Sequence, residues 1–260
     1  MTFQQSQASL VGIILVGRPE GQLALLWVPL FHPASVSVAL PGHVQSYYLI
    51  MLRAERGFGV AGIVGSLHQT LVFGRRVRVL SDQLAALIPP AARILDVGCG
   101  DGTLDLLITR QRPDVSMVGV DVLVRPNARI PVQSFDGANI PYPDASFDAV
   151  MFVDVLHHTP DPHLLLREAT RVGKMILIKD HFRENFFSDI RLRFMDWVGN
   201  AHHGVALPYN YWSRRQWSAA FGQLGLRTIE MRMSLGLYPA PASWIFERGL
   251  HFVARLQPSD

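Results

Sequence analysis

The sequence predicts an α/β fold, a doubly wound and mostly parallel sheet covered by helices on both faces and preceded by an apolar N-terminal extension. Three observations predict it. From Arg75 onward short apolar runs alternate with helical patterns, as parallel strands joined by crossover helices require. Ile94 to Leu104, ILDVGCGDGTL, sets a glycine-rich turn between a buried strand and a helix. A second apolar strand then ends on Asp121, as though an acidic group were wanted beside that turn.

Each element has its own reason. RVRVLSDQLAALIPP reads as a helix with Val79, Leu84 and Leu87 on one face, stopped by Pro89 and Pro90. RILDVG is a buried strand, TLDLLITR the helix after it, and VSMVGVDV the next strand. FDAVMFVDVL is a further apolar strand. It is followed by a helix in which Asp161 serves as N-cap and Pro162 takes the first helical position. KMILIKDHF supplies another strand and FSDIRLRFMDWVG a helix; SRRQWSAAFGQLG opens with Ser213 and Gln216 at capping-box spacing. RTIEMRMSLGLY and LHFVARLQ close the chain as two strands.

Composition narrows the class. Of 260 residues 49% are hydrophobic and 17% charged, below the roughly 25% of an average soluble domain, so the chain can bury a sizeable core. The excess of 24 Lys and Arg over 21 Asp and Glu is too small to argue for nucleic acid. The lone Cys99 excludes an intrachain disulfide and fits a reducing, cytoplasmic setting.

Residues 1–50 differ from residues 51–260, and we read them as a separate extension. Arg18 and Glu20 are their only formal charges. Leu10 to Val16 is too short to cross a bilayer, and Pro29, His32 and Pro33 interrupt the later apolar stretch, so no transmembrane segment is expected. LVGIILV and QLALLWVPL around GRPEG form a hairpin pattern, with weak membrane-surface contact as the alternative use of so apolar a segment.

The glycine turn sets a chemical choice. Gly98, Gly100 and Gly102 let backbone approach a ligand closely, and the helix beyond favours an anionic group. A dinucleotide fingerprint needs G-x-G-x-x-G, whereas this turn reads G-x-G-x-G with Thr103 in the third glycine's place. Asp96 and Asp101 would repel a pyrophosphate but suit a ligand carrying ammonium and sulfonium charges. Asp121 is placed to accept from ribose hydroxyls. A nicotinamide oxidoreductase is therefore disfavoured.

These residues resemble the class I S-adenosylmethionine-dependent methyltransferases, in particular their small-molecule, type 11-like branch. The resemblance runs from Arg75 to about Leu177 through LDVGCGDG, VGVD, SFDGANIPYPDASFDAV and DVLHHTPDP. It implies a Rossmann-like seven-stranded sheet with an antiparallel last strand and S-adenosyl-L-methionine as cofactor. Asp96, Gly98, Gly100 and Gly102 would line the methionine portion, Asp121 the ribose, Asp136 and Gly137 the adenine, and Asp154 the amino-acid end. Cys99, at a slot where the family tolerates several small residues, is read as packing. The implied partner is a small acceptor and not nucleic acid, since DVLH stands where an N-P-P-Y-like motif would mark base methylation. A protein that binds the cofactor and methylates nothing is the alternative.

Three histidines are candidate bases: His157 and His158 after the fourth strand of the motif series, and His181 after ILIKD, at the sheet edge where ligands bind. We favour His158 or His181. Asp154, Asp180, His181, His202 and His203 have no specific metal spacing, and no metal is expected. Residues 182–222 are expected to cap the acceptor pocket, with Trp197, Tyr209, Tyr211 and Trp212 either as its apolar lining or as core, the more frequent fate of such residues, and Arg214 and Arg215 either holding an acidic substituent or solvated. Because all the motifs lie downstream, residues before about Gln45 are expected to be dispensable for chemistry. Methyl-transfer assays on a chain beginning near Met51 check this, and a truncation that folds but loses all catalytic activity would contradict it.

Overall fold

The computed structural model describes residues 10–17, 23–30, 74–200, 208–247 and 249–259, and the chain divides into two units, residues 1–66 and 67–260. In the first unit β1 (Leu10–Gly17) pairs antiparallel with β2 (Leu23–Leu30), Leu10 opposite Leu30 and Gly17 opposite Leu23. This is the hairpin that the two apolar runs around GRPEG predict.

In the second unit the elements follow one another as α1 (Gly74–Ala85), β3 (Arg93–Val97), α2 (Thr103–Gln111), β4 (Ser116–Asp121) and β5 (Val132–Ser134). Next come β6 (Ala149–Val153), a short 3-10 turn at Leu156–His158, α3 (Pro162–Val172) and β7 (Ile176–His181). The rest comprises α4 (Phe186–Asn200), α5 (Arg214–Gln223), β8 (Leu226–Arg232), α6 (Ala242–Phe246) and β9 (His251–Pro258).

Seven strands form one sheet in the order β5-β4-β3-β6-β7-β9-β8. The β5 to β7 pairings are parallel, and β9 lies antiparallel between β7 and β8. This is the predicted seven-stranded sheet with its last strand reversed. Strand order reverses between β3 and β6, which opens a crevice at their carboxyl ends.

Alternation along the strands divides the core into two layers. Leu95, Val97, Val150, Phe152, Ile176 and Ile178 pack with Leu165, Ala169, Trp217 and Phe221 of α3 and α5. Ile94, Met117, Met151 and Leu177 pack with Leu80 and Leu84 of α1 and Ile108 of α2. Every residue of β7 is buried, which explains its unbroken apolar start and makes the Lys179-Asp180-His181 run at its end chemically unusual.

Local signals decided most boundaries. The Asp161 carboxylate accepts the N–H groups of His163 and Leu164, and Ser213 and Gln216 close a reciprocal capping box, both as predicted. The first helix ends earlier than its prolines suggest, at Ala85. The Arg112 guanidinium donates to the carbonyls of Ala85, Ile88 and Pro89 and so satisfies that helix end from a distant element. FDAVMFVDVL is a five-residue strand rather than ten, because Asp154 adopts φ +58° and turns the chain. The strand β5 was not anticipated; three residues at a sheet edge carry no period to read.

The substitution Asp161→Ala removes two acceptor contacts at the α3 start. It is expected to cost about 1 kcal/mol in urea unfolding, and an unchanged midpoint would show the cap to be inert.

Candidate functional site

The glycine turn sits on the carboxyl end of β3 and is fastened to the end of β4. The Gly98 N–H donates to the Val120 carbonyl at 2.7 Å, and the Gly100 N–H donates to Asp121 Oδ2 at 2.8 Å. Asp121 Oδ1 accepts the Leu123 N–H at 2.8 Å. Each Asp121 oxygen thus accepts one backbone donor and keeps a lone pair for another.

The three glycines differ in why they are glycine. All have positive φ, but a Cβ on Gly98 would lie 2.6 Å from Val155 Cγ2, and one on Gly102 would lie 2.8 Å from Ile130 Cγ1. A Cβ on Gly100 would meet nothing within 4 Å. The turn is closed on two sides and open at Gly100, beside Asp121. Gly119 completes the arrangement, since its Cβ would strike Cys99 Sγ at 2.3 Å. Cys99 therefore packs into the space that Gly119 leaves, and burial, reinforced by Asp96, Asp105 and Asp121, pushes its thiol up and away from reactivity.

The acidic residues around the turn have separate environments. Asp101 accepts the Thr103 N–H at 3.0 Å and hydroxyl at 2.8 Å, and these bonds outweigh partial burial to hold its carboxyl below the usual range. Asp96 is buried, as is Asp105 of α2, and burial, reinforced by Asp105, raises the Asp96 carboxyl well above the ordinary range. Asp136 is exposed and turned onto its own loop. The N–H and side chain of Asn139, then the Ala138 N–H, hold its carboxyl down at about 2. Gly137, at φ +83°, has Val122 against it at 3.2 Å from a built Cβ, and Val122, Leu123 and Val124 stand exposed after Asp121. The sequence reading passed over this short apolar wall, although VLV directly after the acid was its signal.

Across the crevice, at the ends of β6 and β7, lies a buried ionic cluster. Asp154 takes Lys179 on one carboxylate oxygen and Arg76 of α1 on the other. Burial would raise the Asp154 carboxyl, and these two cations hold it well below the ordinary range. Burial lowers Lys179 to about 8 even though Asp154 opposes the shift. Asp154 is therefore an ion-paired carboxylate rather than a free one, a state that Arg76 and Lys179 impose from elements remote in sequence.

The three predicted histidines fall into different states. His157 Nδ1 is 2.7 Å from Asp180 Oδ1 and its Nε2 is 3.4 Å from Asp196 Oδ2. Its burial favours the neutral ring, but Asp180 and then Asp196 outweigh this and raise it to about 10. Tyr211 stacks on it at 5.1 Å and donates its hydroxyl to Asp196. His157 is thus an imidazolium with no lone pair to accept a proton. His181 is buried with Nδ1 3.3 Å from Asp180 and Nε2 3.5 Å from Lys179 Nζ. His158 is half-buried, burial and the neighbouring His157 lower its pKa, and its Nδ1 has no hydrogen-bond partner. Of the three it alone is a partly accessible, neutral ring, and its unengaged Nδ1 is buried.

Two trios, His157 with His158 and Asp196 and His157 with Asp180 and His181, bring one ligand atom per residue within 4.8 Å of one another. Both run through His157, so either holds a divalent ion only after that ring loses a proton. Arg76, Lys179 and His157 already balance Asp154, Asp180 and Asp196 charge for charge.

The expected aromatic lining is only partly where the sequence put it. Trp212 and Trp217 pack edge to face in the core at 4.9 Å, and Tyr211 is buried on His157. Tyr209 is half-buried under the Arg193 guanidinium, 4.7 Å from its ring centroid. Arg214 lies over Phe182. The Trp197 side chain and residues His202 and His203 lie outside the described residues. Among the described residues no helix is long and apolar enough to cross a membrane.

His157 gives a pH signature. Its folded pKa lies above the unfolded value of roughly 6.5, so it contributes stability that is complete below that value and lost as pH rises toward about 10. Lys179, whose folded pKa is depressed to about 8, acts with the opposite sign only above that pH. Between pH 6.5 and 8 the wild type is therefore expected to lose melting temperature faster than His157→Gln; parallel slopes in thermal unfolding would contradict the assignment.

Comparison with known proteins places this geometry. A family model described as a methyltransferase domain matches residues 72–231, more than half of the chain. The 27-O-demethylrifamycin SV methyltransferase of Amycolatopsis mediterranei is 35% identical over 108 residues, covering 36% of this chain and 39% of that protein. The ubiquinone biosynthesis O-methyltransferase of Hahella chejuensis is 32% identical over 105 residues, 36% of this chain and 42% of that one. The chain thus spans about two fifths of the length of these relatives. A solved S-adenosylmethionine-dependent methyltransferase of Thermotoga maritima shares the fold with a TM-score of 0.52 at 21% identity, over 76% of this chain and 96% of that one.

Proposed function

Since the chain belongs to the methyltransferase-domain family, we propose that it moves a methyl group from S-adenosylmethionine to a hydroxyl of a small apolar or aromatic acceptor by in-line displacement. The observation that carries this reading is the turn open at Gly100 and bonded to Asp121, which leaves backbone and carboxylate facing one space. The two curated relatives whose names specify oxygen acceptors favour a hydroxyl.

The residues present suit the cofactor. Asp121 keeps one lone pair on each oxygen for the ribose hydroxyls. Gly100 offers room that any side chain would occupy, while Gly98 and Gly102 let the turn close around the methionine portion beside Asp96. Gly137 and Asp136 border the adenine, with Val122 as an apolar wall. Asp154 approaches the amino-acid end as an ion-paired carboxylate. The sulfonium, when bound, makes the methyl group a good electrophile, so this chain's task is alignment and the exclusion of water.

A hydroxyl acceptor also needs to lose its proton. His158 takes that role: its ring is neutral at pH 7 and, alone of the three histidines, partly accessible. His157, fixed as a cation between Asp180 and Asp196, holds the His158 backbone and ring in place; the two ring centroids are 4.1 Å apart. His181 supports the same cluster from β7.

Two measurements test this reading. Asp121→Ala is expected to weaken S-adenosylhomocysteine binding at least about tenfold in calorimetric titration, the cost of roughly one charge-assisted hydrogen bond. Equal affinity would remove Asp121 from the site. His158→Gln is expected to lower kcat about a hundredfold on a hydroxylated aromatic acceptor and to abolish the acid limb of the pH profile, which in the wild type falls below pH 6.5. A variant with unchanged rate at all pH values would leave alignment as the whole mechanism. A protein that binds the cofactor analogue yet methylates no acceptor in an extract would be a binding protein.

A further inference from the structure

Helix α4 is built inside out. Its buried side carries Ser188, Leu192 and Asp196, while Phe186, Ile190 and Phe194 recur every four residues as one outward stripe, with Phe187 beside them. Phe186 and Phe187 are each 72% exposed. Trp244 and Ile245 of α6 are exposed as well, at 62% and 52%. They continue the same face, because the two helices are joined: the Arg191 guanidinium donates to the Ile245 carbonyl at 2.9 Å, and Phe194 stacks with Phe246 at 6.1 Å. Water ordinarily drives such side chains inward, and a contiguous group of them on the outside marks a contact surface.

Charge identifies the occupant. Around α4, Arg183, Arg191, Arg193 and Arg214 are answered by Asp189 and Glu184. Asp189 accepts from Arg193 at 2.7 Å and lies 4.0 Å from Arg183; Glu184 accepts the Arg214 N–H at 2.8 Å and lies 3.6 Å from its Nε. Arg191 spends its donors on the Phe187 and Ile245 carbonyls and pairs with no carboxylate among the described residues. Beyond α6, Glu247 accepts the Leu237 N–H and Arg75 donates to the Gly236 carbonyl, so the cationic surplus stands. A second copy in a two-fold contact would set this cationic rim against itself. An anionic lipid surface answers both features, since Phe and Trp settle at the headgroup boundary while Arg stems lie along apolar surface with their charges at the phosphates. At 15 residues, α4 is too short to cross a bilayer and suited to lie in its surface.

We propose that the outer face of α4 and α6 docks on anionic phospholipid bilayers, with Phe186, Phe187 and Trp244 entering the headgroup boundary. The contact goes beyond the methyl-transfer reading and does not depend on it. Asp196, on the inner side of α4, lies 3.4 Å from His157, so the bilayer sits one helix away from the candidate site.

The test is co-sedimentation of the full chain with vesicles of equal parts phosphatidylglycerol and phosphatidylcholine, and with vesicles of phosphatidylcholine alone. Partitioning onto the mixed vesicles is expected to be at least about tenfold stronger and to weaken as salt is added. The double variant Phe186→Ser with Phe187→Ser is expected to lose about tenfold in partitioning, and Trp244→Ser about threefold, with the melting temperature kept. Should one variant fail to fold, the other carries the comparison from its own helix. Wild-type chain that stays in the supernatant with mixed vesicles, or pellets equally with both lipids, overturns the proposal. So does undiminished pelleting of the folded variants, which would move the contact to another segment such as the apolar hairpin. A lipid-free dimer in sedimentation velocity that the variants dissociate would give the face to a second copy and overturn it as well.

Discussion

The hydrogen bond from the Gly100 N–H to the Asp121 carboxylate is the contact on which the site depends. It ties the turn after β3 to the tip of β4, two parallel strands whose carboxyl ends meet at the same edge of the sheet. Because Asp121 spends one lone pair per oxygen on backbone, its orientation is fixed before any ligand arrives. Preorganisation of this kind lets a carboxylate recognise paired hydroxyls without first losing side-chain freedom. The same bond holds Gly100 in a left-handed conformation whose outer side is open, while Val155 and Ile130 close the turn at Gly98 and Gly102.

Opposite that edge the protein maintains an expensive arrangement. Lys179, Asp180, His157 and Asp196 are buried and Asp154 is half-buried, and each is tolerable because a partner of opposite charge accompanies it. Such clusters rarely add net stability, but they fix geometry, since breaking any one pair strands a buried charge. Asp154 holds φ +58° under the grip of Arg76 and Lys179, and the chain turns there into the segment that presents His158. The cluster's product is a rigid floor with one neutral imidazole at its rim.

The sequence made the fold class and the caps legible, because these depend on local residues: the Asp161 and Ser213 caps, the strand-turn-helix at Gly98 to Gly102 and the acid at Asp121. It also pointed to the three histidines. It did not distinguish among them, because their protonation is set by Asp180 and Asp196, which the fold delivers from β7 and α4. Arg76 was hidden for the same reason. Lys179 and Asp180 did leave a trace, two charges at the end of a fully apolar strand. Of the two fates open to the aromatics after α4, Trp212 and Tyr211 take the core one, in packing and in the ionic cluster.

A crystal structure of the full chain with S-adenosylhomocysteine tests the central claim most directly. The account predicts both ribose hydroxyls within about 2.5–3.0 Å of the Asp121 oxygens, with the Gly100 N–H still bonded to Oδ2. A ligand bound elsewhere, or an Asp121 side chain turned away from the ribose, would contradict it.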